Sequence, residues 1–154
     1  MIEDLQALLD DHDIRYFSAK EVVRARRWNK LLEPPEDLWE NILPALTIAD
    51  CAREAMTTED QEIDDRVRVV SGYRDDRYNT HVDGAPTSEH MSFRALDLQP
   101  FDAARMEELR SIMVALVEYA RSQGIDARLI HYDAFVHVDV GAAEGKPRGS
   151  RLGL

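Results

Sequence analysis

The chain has one cysteine, Cys51, so no internal disulfide can form and no cluster of thiolates from this chain alone can hold a metal. Any metal must then be bound by His and carboxylate side chains. Cys51 lies between Ala49 and Ala52 in a helical pattern, where a free cysteine is expected to be a small buried hydrophobe. Long apolar runs are also missing, and none approaches the roughly 20 residues that a membrane helix needs. The start, Met1-Ile2-Glu3-Asp4, has no basic segment followed by an apolar one, so no export signal is visible. Positive charge is scarce: 19 Lys and Arg stand against 30 Asp and Glu, for a formal net charge of -11. Such a chain repels a nucleic-acid backbone, and nucleic acid is not expected as a partner. The short cluster Arg24, Arg26, Arg27 reads as the solvated face of a helix.

What is present suits one domain over the 154 residues, with no internal repeat. Ile2, Leu5, Leu8 and Leu9 have helical spacing and predict an opening helix over 2–11. Ser18 followed by Glu21 is a capping-box pattern and predicts a second helix from about Ala19 to Trp28. Pro35 can open a third, amphipathic helix running through Leu38, Ile42, Leu46, Ala49 and Ala52 to about Met56. The acidic run from Thr57 to Asp65 has little to bury and reads as a loop.

Val67 to Val70 is a short β-branched run, read as a strand ending at Ser71-Gly72. The polar stretch from Arg74 to Glu89 reads as a long loop, of a length that ordinarily serves a site. Ala95 to Leu98 alternates like a strand, and Phe101 to Ser122 has a helical period that Gly124 stops. Leu129–Tyr132 and Phe135–Val140 then form two strands joined at Asp133-Ala134. From Gly141 onward the tail is rich in Gly, Arg and Lys and is expected to be poorly ordered. The fold class is α+β: N-terminal helices packed on a small, mostly antiparallel sheet.

Chemistry-bearing residues concentrate in Ser88-Glu89-His90, Ala95-Leu96-Asp97 and Phe135-Val136-His137-Val138-Asp139. Zinc takes imidazole nitrogen and carboxylate oxygen at about 2.0–2.2 Å, and catalytic sites use three protein ligands with a fourth position open. His90, Asp97 and His137 supply that set. Singly, a histidine such as His137 between Val136 and Val138 is more often a core group than a ligand. Asp139 shares a strand face with His137 by the period of two, and can orient a ligand from behind. The loop from Asp75 to Gly84 lacks the alternating acidic ligands of a calcium loop, and His81 within it reads as a solvated turn residue.

Taken together, Ser71-Gly72-Tyr73-Arg74, Tyr78-Asn79, Ser88-x-His90, Ala95-x-Asp97 and Phe135-Val136-His137-Val138-Asp139 closely resemble the M15 family of zinc peptidases, which shares its zinc fold with the hedgehog signalling domain. The resemblance extends from about Phe17 to Gly141, leaving 142–154 as a tail. It implies that His90, Asp97 and His137 hold Zn2+, that Arg74 binds substrate and steadies the developing oxyanion, and that Ser88 lies near the substrate terminus. The alternatives from the residues themselves are a surface ion pair from Arg74 to Asp75 or Asp76, and a loop cap from Ser88. The implied activity is hydrolysis of a peptide bond in cell-wall peptidoglycan, as carboxypeptidase or endopeptidase. Such enzymes act after export or, in phages, by delivery, so the resemblance leaves the location open.

Two departures stand out. Phe93 occupies a position where many members have glycine, and is expected to reshape or partly cover the cleft. Ala134 and Phe135 occupy the positions where the family keeps its general base. Asp133 is the first substitute, reaching in from the hairpin turn, with His131 and Glu89 as alternatives and an Asp that merely stabilises the turn as the plain reading. The missing base leaves a second expectation open, a non-catalytic, zinc-stabilised binding domain. A third, a metal-free interaction domain, would make every motif match structural.

Overall fold

The computed structural model describes residues 1–141; the expectation for 142–154 lies outside the described residues. Helix α1 (Ile2–Asp11) buries Leu5 and Leu9, two of the spaced apolar positions. Helix α2 (Ala19–Val23) carries the complete capping box between Ser18 and Glu21. It ends well before Trp28, which corrects the expected length. Arg24–Ala25 (β1) and Lys30–Leu31 (β2) pair as a small antiparallel ribbon around a 3-10 turn at Arg26–Trp28. Asn29 closes that turn with a φ of 47°, a left-handed conformation that asparagine tolerates better than most residues. The arginine cluster therefore lies on the ribbon and its turn, not on a helix face.

The third helix is also divided. Residues Glu36–Ile42 form 3-10 turns, and α3 (Leu43–Ala55) begins afresh with Pro44 in its first turn. Proline has no N–H to donate and its ring clashes with the carbonyl four residues back, so one continuous α-helix could not pass through it. Cys51 is exposed, contrary to expectation. It shares the outer face of α3 with Thr47 and Ala55, while Ala45, Leu46, Ile48, Ala49 and Ala52 face the core.

Strand β3 (Val67–Ser71) is followed by a short helix, α4 (Asp76–His81), inside the stretch expected to be a loop. The Asp75 side chain caps it by accepting from the Tyr78 N–H at 2.8 Å. Strand β4 (Ala95–Pro100), helix α5 (Met106–Ser122) and the hairpin β5 (Ala127–His131) and β6 (Val136–Val140) complete the described chain. The four longer strands form one antiparallel sheet in the order β3-β4-β6-β5. The α+β class holds, with five α-helices and two antiparallel sheets among the described residues.

Side-chain alternation divides the sheet into two functional faces. Leu96, Leu98, Leu129, Val136 and Val138 point into the core, where α3 and α5 cover them with Leu46, Ala49, Leu109, Met113 and Val117. Full burial of a Leu or Val side chain stabilises the fold by about 1.5–3 kcal/mol, so this face is where the strand register is enforced. The opposite face carries Asp97 directly beside His137, with Asp139 opposite Arg128 and His137 opposite Ile130. A slip of one residue would exchange the two sets.

Candidate metal centre

His90, Asp97 and His137 come from a turn, the middle of β4 and the adjacent position on β6, and their ligand atoms lie within 4.8 Å of one another. All three are buried. Asp97 stands at the centre: its Oδ2 is 3.3 Å from His90 Nε2 and its Oδ1 is 2.8 Å from His137 Nδ1. In a tetrahedral zinc site with bonds of about 2.0–2.1 Å, donor atoms are spaced about 3.3 Å apart, so the set needs little movement to converge on one ion.

The tautomers follow from the outer partners. His90 Nδ1 is 2.7 Å from the Gly72 carbonyl, which can only accept, so Nδ1 carries the proton and Nε2 is left bare toward Asp97. Gly72 makes this possible through its lack of a side chain: a Cβ there would stand 2.2 Å from the Val22 carbonyl oxygen. His137 Nε2–H donates to Asp139 Oδ2 at 2.6 Å, which leaves Nδ1 facing the centre. Asp139 is fully buried, and Arg128 donates to the same oxygen through Nε at 3.0 Å and a terminal nitrogen at 2.7 Å.

The ionisation states match this arrangement. Burial pushes the His90 pKa below its usual value and favours the neutral, ligating form. Burial also works against the charged form of His137, but hydrogen bonds with Asp139 and Asp97 outweigh it and raise its pKa to about 9 without a metal. For Asp97, burial is again overcome, chiefly by the hydrogen bond from His137, and its pKa lies below the ordinary carboxylate range. Without a metal, His137 is thus an imidazolium between two carboxylates. A divalent cation would replace its Nδ1 proton.

Arg74 borders this centre. It donates to Ser71 Oγ at 3.0 Å and Asn79 Oδ1 at 3.3 Å, and lies 3.4 Å from Asp97 Oδ2, so the surface ion pair to Asp75 or Asp76 is not formed. Gly84 gives these side chains room, because a Cβ there would fall 1.9 Å from Asn79 Oδ1. Ser88 caps its own turn by accepting from the His90 N–H at 3.2 Å, and also lines the cleft. That cleft has a volume of about 680 Å³ and opens over His90, Asp97 and His137. Arg74, Glu89 and Arg128 supply its other charged groups beside Asp83, with Ile130, Tyr132 and Phe135 as its apolar wall.

Strand parity separates the candidate bases. Ile130 and Tyr132 line the cleft, whereas His131 points to the other side of the sheet, near Arg110 and Glu107 of α5. Asp133 is exposed in the hairpin turn and is not among the cleft-lining residues; Glu89 is. His81 is exposed and packs against the Trp28 ring, apart from the metal group. Phe93 corrects the expectation that it would cover the cleft. Its ring is fully buried edge-on to Tyr73 at 5.7 Å, while its backbone adopts a φ of 57°. The backbone shape that glycine would permit is retained, and the side chain is absorbed by the core.

Arg128, which lines the cleft and holds Asp139, is a residue that the strand reading left out. A two-residue turn at Asp133-Ala134 sets the pairing outward from it, so Arg128 opposite Asp139 was available from counting alone.

The buried group of Asp97 and His137 on the polar face of the sheet and His90 from a turn, open to a cleft with Arg74 at its edge, is a donor set that could hold a metal ion. Residues 17–139 match the family model described as Peptidase M15, and the chain belongs to that family of peptidases. Comparisons with curated proteins and with solved structures gave no match.

Proposed function

We propose that this protein is a zinc peptidase that hydrolyses a peptide bond in bacterial cell-wall peptidoglycan, as a carboxypeptidase or endopeptidase. The observation that carries the zinc assignment is the buried donor set itself, two imidazoles and one carboxylate, each fixed from behind by Gly72, Asp139 or Arg74. Bound there, zinc supplies Lewis acidity to the scissile carbonyl and to the attacking water.

The remaining chemistry falls to the chain. Arg74, held by Ser71 and Asn79, presents a fixed cation where negative charge develops on the carbonyl oxygen. Glu89, in the cleft wall next to His90, accepts the proton of the attacking water and returns it to the departing amine. Its place in the wall supports it over Asp133 in the turn. Ser88 and the wall formed by Ile130, Tyr132 and Phe135 position the peptide.

The test is digestion of purified peptidoglycan by the zinc-loaded chain, with product masses identified and His90→Ala as control. Released peptide fragments that vanish in the control support the reading. Stoichiometric zinc without any cleaved product overturns the peptidase assignment and favours the zinc-stabilised binding domain, a reading that Ala134 and Phe135 at the usual base positions would favour.

A further inference from the structure

A second cavity of about 430 Å³ lies beside β3, the edge strand of the sheet, and shares no lining residue with the metal cleft. Its wall contains Arg24, Arg26, Arg53, Arg66 and Arg68. Five guanidiniums around one cavity are anomalous in a chain whose formal net charge is -11. Like charges gathered this way repel one another unless something compensates them.

The carboxylates nearby do so only in part. Asp64 holds Arg66 through two hydrogen bonds of 3.0 and 2.8 Å. Glu21 lines the cavity but is engaged by the backbone N–H and hydroxyl of Ser18, both at 3.3 Å. Glu54 accepts from the Tyr16 hydroxyl. The wall thus holds five guanidiniums and one carboxylate, Glu21, while Asp64, Glu54 and Asp65, the last paired with Arg105, lie outside its lining.

The cations are also held in place. Arg66 and Arg68 stack on the Phe101 ring with Cζ 4.1 and 3.9 Å from its centroid, and Arg53 stacks on Tyr16 at 4.5 Å. Stacking fixes the plane of a guanidinium while leaving its N–H edge for an in-plane acceptor. The Nε–H of Arg68 is shielded from solvent and meets no acceptor among the described residues. A buried donor without a partner is costly, and an incoming oxyanion would satisfy it.

We infer that this cavity binds a phosphate monoester, independently of the metal centre. Planar, stacked arginines favour an oxyanion with several acceptor oxygens. A monoester carries a charge of about -1.5 to -2 at neutral pH and so offsets more of the wall's surplus positive charge than one carboxylate can. The negative charge of the rest of the chain opposes a long polyanion and selects for a small one.

The experiment follows the arginine 1H–15Nε resonances of the full chain during titration at constant ionic strength with inorganic phosphate, glycerol phosphate, dimethyl phosphate and acetate. Saturable shifts of Arg68 with phosphate and glycerol phosphate are expected, with affinity at least about tenfold above that for acetate or dimethyl phosphate. Arg68→Gln and Arg26→Gln should each weaken glycerol phosphate binding by about tenfold. Arg26 is exposed, so its substitution leaves the fold intact and keeps the test decisive if Arg68→Gln disturbs packing. Unshifted Arg68 resonances would overturn the proposal. So would equal affinity for acetate, tighter binding of the diester, or undiminished binding in Arg26→Gln together with Arg68→Gln.

Discussion

The Nε2 of His137 lies 2.6 Å from Oδ2 of Asp139, a fully buried carboxylate two residues further along the same strand. Because alternate strand residues share a face, this contact is built into the local sequence His-Val-Asp. It fixes which imidazole nitrogen is presented to Asp97, and Arg128 keeps the carboxylate from turning away. Asp139→Asn removes the charge while keeping the shape. Zinc affinity, measured by competition with a chelating dye, should fall by about 10- to 100-fold without loss of the fold. An unchanged affinity would mean that His137 needs no such orientation.

The same histidine sets a pH dependence. Its pKa is raised from 6.5 to about 9 in the metal-free protein, so the stabilisation it brings is fully present below pH 6.5 and is lost as pH rises through about 9. Metal must displace that proton. Zinc titration at pH 7.5 in buffers of different ionisation enthalpy should show release of about one proton, falling toward none well above pH 9. Release that does not change with pH would contradict the imidazolium between Asp97 and Asp139.

Two carboxylates compete for the proton-transfer role, and their positions separate them. Glu89→Gln should retain zinc and lose activity on peptidoglycan by about 10²- to 10⁴-fold, while Asp133→Asn should stay near the parent rate. The reverse pattern would move the role to the hairpin turn. The readout is turnover with metal content measured on the same samples.

Phe93 combines a left-handed backbone, φ 57°, with a ring that has no solvent exposure. Phe93→Gly relieves backbone strain of about 1–2 kcal/mol and removes a packed aromatic side chain worth about 3–5 kcal/mol. Net destabilisation of about 1–4 kcal/mol is expected in denaturant unfolding. A gain in stability would show that the ring is poorly packed against Tyr73.

Much of this was legible in the residues, for identifiable reasons. Asp97 and His137 lie in motifs that meet on folding because β4 and β6 are adjacent and their register is enforced by Leu96, Leu98, Val136 and Val138 on the core face, and His90 joins them from the turn before β4. The capping box of Ser18 and Glu21 was readable because it is a contact within one turn. Other features depended on local chemistry that hydrophobic spacing does not report: Pro44 restarts α3, and Asn29 allows the chain to turn back as a ribbon. Burial of Phe93 depended on Tyr73, distant in sequence, and the arginines of the second cavity come together only when β3, α3 and the ribbon meet.

The central claim, that His90, Asp97 and His137 together hold zinc, is tested most directly by zinc X-ray absorption on the stoichiometrically loaded chain, compared with His90→Ala. The expected spectrum has nitrogen and oxygen neighbours at about 2.0–2.1 Å, scattering from two imidazoles, and no sulfur; the substituted chain should fail to retain zinc at equal concentration. A sulfur neighbour at about 2.3 Å, or an unchanged spectrum and zinc content in His90→Ala, would contradict it.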